Sequence, residues 1–83
     1  MRYEVVWRWQ ATQAASRYLK DDPDGLRRLF DAVDQLADDP RPPGTVTYGS
    51  QDLRRMRAGR FRVMYEVADS TVTVVVLHVG RTE

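Results

Sequence analysis

Five arginines, Arg54, Arg55, Arg57, Arg60 and Arg62, fall within nine consecutive positions of this 83-residue chain. They flank Ala58-Gly59, where glycine supplies the positive φ that tight hairpin turns demand. With Ala58 and Gly59 as the two loop residues, Arg57 lies opposite Arg60, Met56 opposite Phe61 and Arg55 opposite Arg62. Arg55, Arg57, Arg60 and Arg62 then share one face. Like charges opposed across a sheet cost roughly 0.2 to 1 kcal/mol per pair, so such a face suits an anion more than it suits stability. A guanidinium is a planar fork that grips phosphate oxygens in pairs and keeps its charge, which points to a phosphodiester backbone. The reading without chemistry is an ordinary solvated strand face.

The elements that must carry these arginines are legible from periodicity. Phe61, Val63, Tyr65 and Val67 alternate with Arg60, Arg62, Met64 and Glu66, the pattern of a half-buried strand. Tyr3, Val5 and Trp7 alternate with Glu4, Val6 and Arg8 in a first strand. From about Trp9 the period becomes helical, with Ala11, Ala14, Ala15, Tyr18 and Leu19 on one face, until Asp21-Asp22-Pro23 stops it. Asp22 is the expected N-cap of a second helix with Pro23 at its first position. Leu26, Leu29, Phe30, Val33, Leu36 and Ala37 form its apolar stripe, while Arg27, Arg28, Asp31, Asp34 and Asp38 face solvent. Asp39 to Gly44 forms a stiff connector because of its prolines.

After Val67, Ala68 to Thr71 reads as a turn, and Val72 to Val79 as a central strand buried on both faces. With Asp69 and Ser70 in the turn, Phe61 pairs with His78, Val63 with Val76, Tyr65 with Val74 and Arg62 with Leu77. His78 is then a packed strand residue, and Arg81 emerges on the arginine side. The architecture expected is α+β, in the order β-α-α-β-β-β, with a two-helix hairpin on one face of a small curved, mainly antiparallel sheet. Met64, Val75, Leu77 and Val79 lie among the arginines on the other face, an apolar patch suited to a protein partner or to a covering segment of the chain.

Composition narrows the classes. A chain of this length reads as one domain, residues 1–83. It carries no cysteine and one histidine, which argues against disulfides and against a zinc site. No metal or cofactor is expected. No apolar run approaches the roughly 20 residues of a membrane span, and no signal peptide is apparent, so a cytoplasmic location is expected. The net charge of +1 hides an asymmetry: residues 19–40 sum to −4, residues 50–66 to +3.

The block Leu53 to Val67, together with the helical hairpin ending Leu36-Ala37-Asp38-Asp39-Pro40-Arg41 and the final strand ending His78-Val79-Gly80-Arg81, resembles the RelE/ParE toxin superfamily of bacterial toxin–antitoxin systems. The matching pattern is a leucine, basic residues, an arginine, a glycine turn, aromatic-arginine, two apolar residues and a tyrosine. RelE-like members are implied to cut messenger RNA in the ribosomal A site, and ParE-like members to poison DNA gyrase, each held inactive by a cognate antitoxin. Operator DNA would be met only through that antitoxin. By position, Arg62 matches the arginine that contacts the scissile phosphate and Arg55 a basic residue of the preceding strand. Arg81 occupies the basic position after the final glycine, Thr82 stands where a further arginine is usual, and no tyrosine follows.

The resemblance implies a ribosome-dependent, metal-independent mRNA endoribonuclease working by 2′-OH attack. Arg62, Arg55 and Arg81 are its expected catalytic cations, and Arg57, Arg60 and Arg54 bind RNA. Met64, Val75 and Leu77 bind the antitoxin. The alternatives are a gyrase poison, or a truncated toxin acting mainly as an antitoxin-binding module.

Overall fold

A computed structural model describes residues 2–82. Strand β1, Glu4–Trp7, leads into helix α1, Trp9–Asp21, and helix α2, Pro23–Gln35. The connector carries a short strand β2, Val46–Thr47, before β3, Leu53–Ala58, β4, Phe61–Ala68, and β5, Thr73–Arg81. The sheet order is β1-β5-β4-β3-β2, with β1 parallel to β5 and every other pair antiparallel. Two helices therefore cover one face of a mixed five-stranded sheet. Strand β2 adds one element to the expected series; at two residues it is too short for alternation to reveal. Among the described residues, no helix is long and apolar enough to cross a membrane.

The helix-side core follows the alternation. Phe61, Val63, Tyr65 and Val67 of β4 meet Val74, Val76 and Val79 of β5, and Met56 and Ala58 of β3. Leu26, Leu29 and Val33 come from α2, and Ala11, Ala14 and Ala15 from α1. Three alanines on one helical stripe let α1 lie close to the strands. Asp22 caps α2 as expected, its Oδ1 accepting from the Gly25 N–H at 3.0 Å.

Both hairpins differ from the sequence expectation in register. The first loop is Gly59-Arg60, not Ala58-Gly59, so Arg57 faces Arg62, Arg55 faces Met64, and Ala58 faces Phe61. Gly59 takes φ 61° at the first loop position, where type II′ turns place glycine. Ala58 is buried, and closing the ladder on it keeps an apolar residue against the core. The arginine face survives because the slip moves the partner by two residues, which preserves side-chain parity.

The second hairpin is corrected more deeply. Asp69–Thr71 forms a 3-10 turn, and Val72 follows at φ 50°. The ladder then runs with a β-bulge at Met64/Tyr65, where Leu77 has no cross-strand partner. Phe61 faces Arg81, Arg62 faces Gly80, Val63 faces Val79, Met64 faces His78 and Tyr65 faces Val76. One extra residue in a strand of period two turns everything beyond it over. Val79 is consequently buried, His78 exposed, and Arg81 on the helix side of the sheet. Strand β5 is also not buried on both faces: Val75 and Leu77 are only half-buried.

Candidate functional site

The open face of the sheet carries the candidate site. Arg57 and Arg62 oppose each other across β3 and β4, and Arg55 lies two residues along from Arg57 on the same side. Together with Gly44, Val46, Met56 and Thr82 they line a cleft of about 460 Å³. Arg55 and Arg62 also line a second hollow of about 310 Å³ with Met64, His78, Gly80 and Arg81. The two arginines thus form the ridge between adjoining hollows.

The charges of this ridge are not neutralised internally. Among the described residues, the ion pairs join Arg2 to Asp38, Arg27 to Asp24, Arg41 to Asp52 and Asp69, and Arg81 to Asp21. Arg55, Arg57, Arg60 and Arg62 have no such partner there. A facing arginine pair without a carboxylate stores repulsion that an anion would relieve. The fork geometry of guanidinium then favours an oxyanion such as phosphate.

The remaining sequence-derived candidates are dispersed. Arg60 is exposed in the hairpin loop, and its carbonyl accepts from the Thr82 N–H at 2.7 Å and hydroxyl at 2.9 Å. Thr82 is thereby held beside the cleft, at the position where an arginine would extend the basic surface. Arg54 points to the helix side, like Met56 and Tyr65. Its Nε and Nη2 donate to Thr45 Oγ1 at 3.1 and 3.0 Å, and its Nη1 to the Gln51 carbonyl at 3.0 Å. It fastens the connector instead of joining the cluster.

Arg81 is turned away by the bulge: its guanidinium lies 5.3 Å over the Tyr18 ring and 4.0 Å from Asp21 Oδ2. It still borders the second hollow, although its cross-strand partner Phe61 is a core residue. His78 moves the opposite way, out of the core and into the hollow lined by Arg55 and Arg62. Only knowledge of the bulge could have reversed those two assignments.

On the same open face, Met64 is half-buried, Val75 pairs with the 40 % exposed Val6, and Leu77 occupies the bulge. Val6 extends this apolar strip to the sheet edge. Its outward position was readable from the Tyr3, Val5, Trp7 alternation, although its part in the strip needed the parallel β1–β5 pairing.

A family model described as the ParE toxin of type II toxin-antitoxin system, parDE, matches residues 4–83. Among solved structures, the archaeal RelE–RelB complex from Pyrococcus horikoshii is similar at 26 % identity and TM-score 0.77, covering 98 % of this chain and 96 % of that one. The toxin–antitoxin complex RelBE2 from Mycobacterium tuberculosis shares the fold at 21 % identity and TM-score 0.80, over 98 % and 92 % of the two chains. The isolated RelE toxin of E. coli does so at 23 % identity and TM-score 0.80, over 98 % and 85 %. No curated protein sequence matches the chain significantly.

Proposed function

Because the chain belongs to the ParE toxin family and is a toxin of a type II toxin–antitoxin system, we propose that it is an mRNA endoribonuclease acting on the ribosome, inhibited by a cognate antitoxin. One observation carries this reading: Arg55, Arg57 and Arg62 converge on an open cleft with no carboxylate among the described residues to balance them. Such a surface suits a polyanion that enters and leaves. The ribosome would supply messenger RNA in its A site and orient it, which would put the toxin's action in the cytoplasm.

The chemistry needs no metal. The ribose O2′ attacks the adjacent phosphorus in line, its proton passes to a base, the P–O5′ bond breaks, and the 5′-oxygen takes a proton from water. Arg62 and Arg55 would bind the non-bridging oxygens, where charge accumulates in the transition state, and electrostatic stabilisation of that kind is usually the largest catalytic term. Arg57 and Arg60 would hold neighbouring phosphates. His78 shares the hollow with Arg55 and Arg62, and imidazole is the side chain suited to accept the 2′ proton near neutrality. Arg54 and Arg81, engaged elsewhere, are left out of this assignment.

Induction of the wild type should arrest growth and yield transcripts cut within codons, read by primer extension. Arg62→Ala should lower cleavage by about 10²-fold, the usual cost of one transition-state donor. Unchanged cleavage in that variant would remove the nuclease reading. A ParE-like gyrase poison is the second reading, favoured by the name of the matching family and by Thr82 standing in place of a cation at the cleft. Double-strand DNA breaks with intact transcripts would select it.

A further inference from the structure

The chain has four tyrosines, and three have evident structural roles. The Tyr3 hydroxyl donates to Asp69 at 2.6 Å, and the Tyr65 hydroxyl to the Pro40 carbonyl at 2.7 Å. The Tyr18 ring packs on Phe61 and lies under the Arg81 guanidinium. Tyr48 has no comparable role, since it is 56 % exposed and, among the described residues, its hydroxyl has no hydrogen-bond partner. Its N–H donates to the Leu53 carbonyl at 2.8 Å, which continues the β2–β3 ladder by one residue. Val46 faces Arg55 and lines the arginine cleft, and one residue past the end of β2 Tyr48 takes the register position opposite Leu53, which has the parity of Arg55 along β3.

Ordinary sheet spacings put the Tyr48 Cα about 8 Å from that of Arg55 and about 17 Å from that of Arg62. That is the reach of a few nucleotides of single strand along the arginine ridge. Exposed aromatic rings beside a phosphate-binding groove are how proteins hold unpaired bases, because every base offers a stacking face. Trp9, the other strongly exposed aromatic, is on α1 in the helix layer and cannot serve this face.

We propose that Tyr48 is a stacking platform for a base of single-stranded RNA flanking the phosphate held by Arg55 and Arg62. The proposal rests on the ribonuclease reading above and assigns Tyr48 a binding role, not a chemical one. Stacking fixes where the strand lies and thus which phosphate reaches Arg62.

The test is fluorescence anisotropy of a labelled single-stranded RNA oligonucleotide with the purified chain, at several salt concentrations. Tyr48→Ala should weaken binding about tenfold, as loss of one base–aromatic stack does. Its salt slope should equal that of the wild type. Tyr48→Phe, which keeps the ring and loses the hydroxyl, should bind within about twofold of wild type. Arg62→Ala should both weaken binding and lower the salt slope by about one. Unchanged binding in Tyr48→Ala beside a weakened Arg62→Ala overturns the stacking role and leaves the RNA reading standing. Equal losses in Tyr48→Ala and Tyr48→Phe also overturn it, since the ring would then not be what binds. RNA binding absent from the wild type, or indifferent to Arg62→Ala, overturns the stacking role, while the ribonuclease reading stands or falls with transcript cleavage in Arg62→Ala.

Discussion

Arg41 shows how one side chain in an irregular segment can hold several elements together. Its Nη2 donates to Asp52 at 2.8 Å and to Asp69 at 2.9 Å, so it ties the proline-rich connector to the start of β3 and to the turn after β4. The Tyr3 hydroxyl completes the group. The Tyr3 hydrogen bond first, and Arg41 second, hold the Asp69 carboxyl below its usual range. For a carboxyl lowered in this way, the stabilisation is present above the unfolded value near pH 4 and lost as pH falls through the lower folded one. Asp69→Asn should therefore melt below the wild type at pH 7, and the two melting curves should draw together below about pH 4; a gap independent of pH would deny the carboxylate this role. Tyr65 differs in kind, because it is buried, and burial raises its phenol pKa. Tyr65→Phe leaves the Pro40 carbonyl unpaired. It should cost about 1 kcal/mol, or about 4–8 °C in melting temperature for a chain of this size. Neither partner of Tyr65 nor the bridge at Arg41 could be read from the sequence, since both depend on where an aperiodic connector folds back.

At the scale of elements, legibility followed the period of the pattern. Helix α2 was readable from its cap, Asp22-Pro23, and from the stripe Leu26, Leu29, Phe30, Val33, although it ends at Gln35, leaving Leu36 and Ala37 of the expected stripe in the turn that follows. The convergence of Arg55, Arg57 and Arg62 was readable for a related reason: parity along β3 and β4 fixes the face whichever two-residue loop joins them. The end of β5 was not, because Val72 to Val79 is almost uniformly apolar and offers no alternation to locate a bulge. His78 and Arg81 were exchanged between faces as a result, so the expected register put the imidazole in the core and Arg81 among the arginines. The α2 cap also yields a prediction. A Cβ added at Gly25 would stand 2.3 Å from Asp22 Oδ2, so Gly25→Ala must displace the capping carboxylate. Alanine gains about 1 kcal/mol over glycine within a helix, and loss of the cap costs about as much. Gly25→Ala alone should leave stability nearly unchanged, whereas in an Asp22→Ala background it should stabilise by about 1 kcal/mol. Additive effects in a denaturant double-mutant cycle would show that the two positions are not coupled.

Across the whole molecule, the two charge blocks are segregated by layer. Residues 19–40, which sum to −4, lie in α2 and its flanks, while Arg55, Arg57 and Arg62 of the block 50–66 line the open sheet face. The shortest extent of the molecule is 19 Å. That exceeds the roughly 8 Å screening length at physiological salt, so a partner approaching the open face meets the arginines with the aspartates largely hidden. The strip of Val6, Met64, Val75 and Leu77 beside them adds apolar area. An antitoxin segment fitted to this face should therefore be acidic at one end and apolar at the other, and the two parts should act on different rates. Opposite charges steer the encounter, whereas desolvated apolar contact slows departure. Charge reversal at Arg55 and Arg62 should slow association with the antitoxin and flatten its dependence on ionic strength. Leu77→Ala should instead raise the dissociation rate several-fold and leave the salt dependence of association as it is. Surface plasmon resonance between about 50 and 500 mM salt reads both quantities, well across the range in which screening changes. If the arginine double variant associates with the wild-type salt dependence, the inhibitor engages another face, and the open sheet is left to the nucleic acid alone.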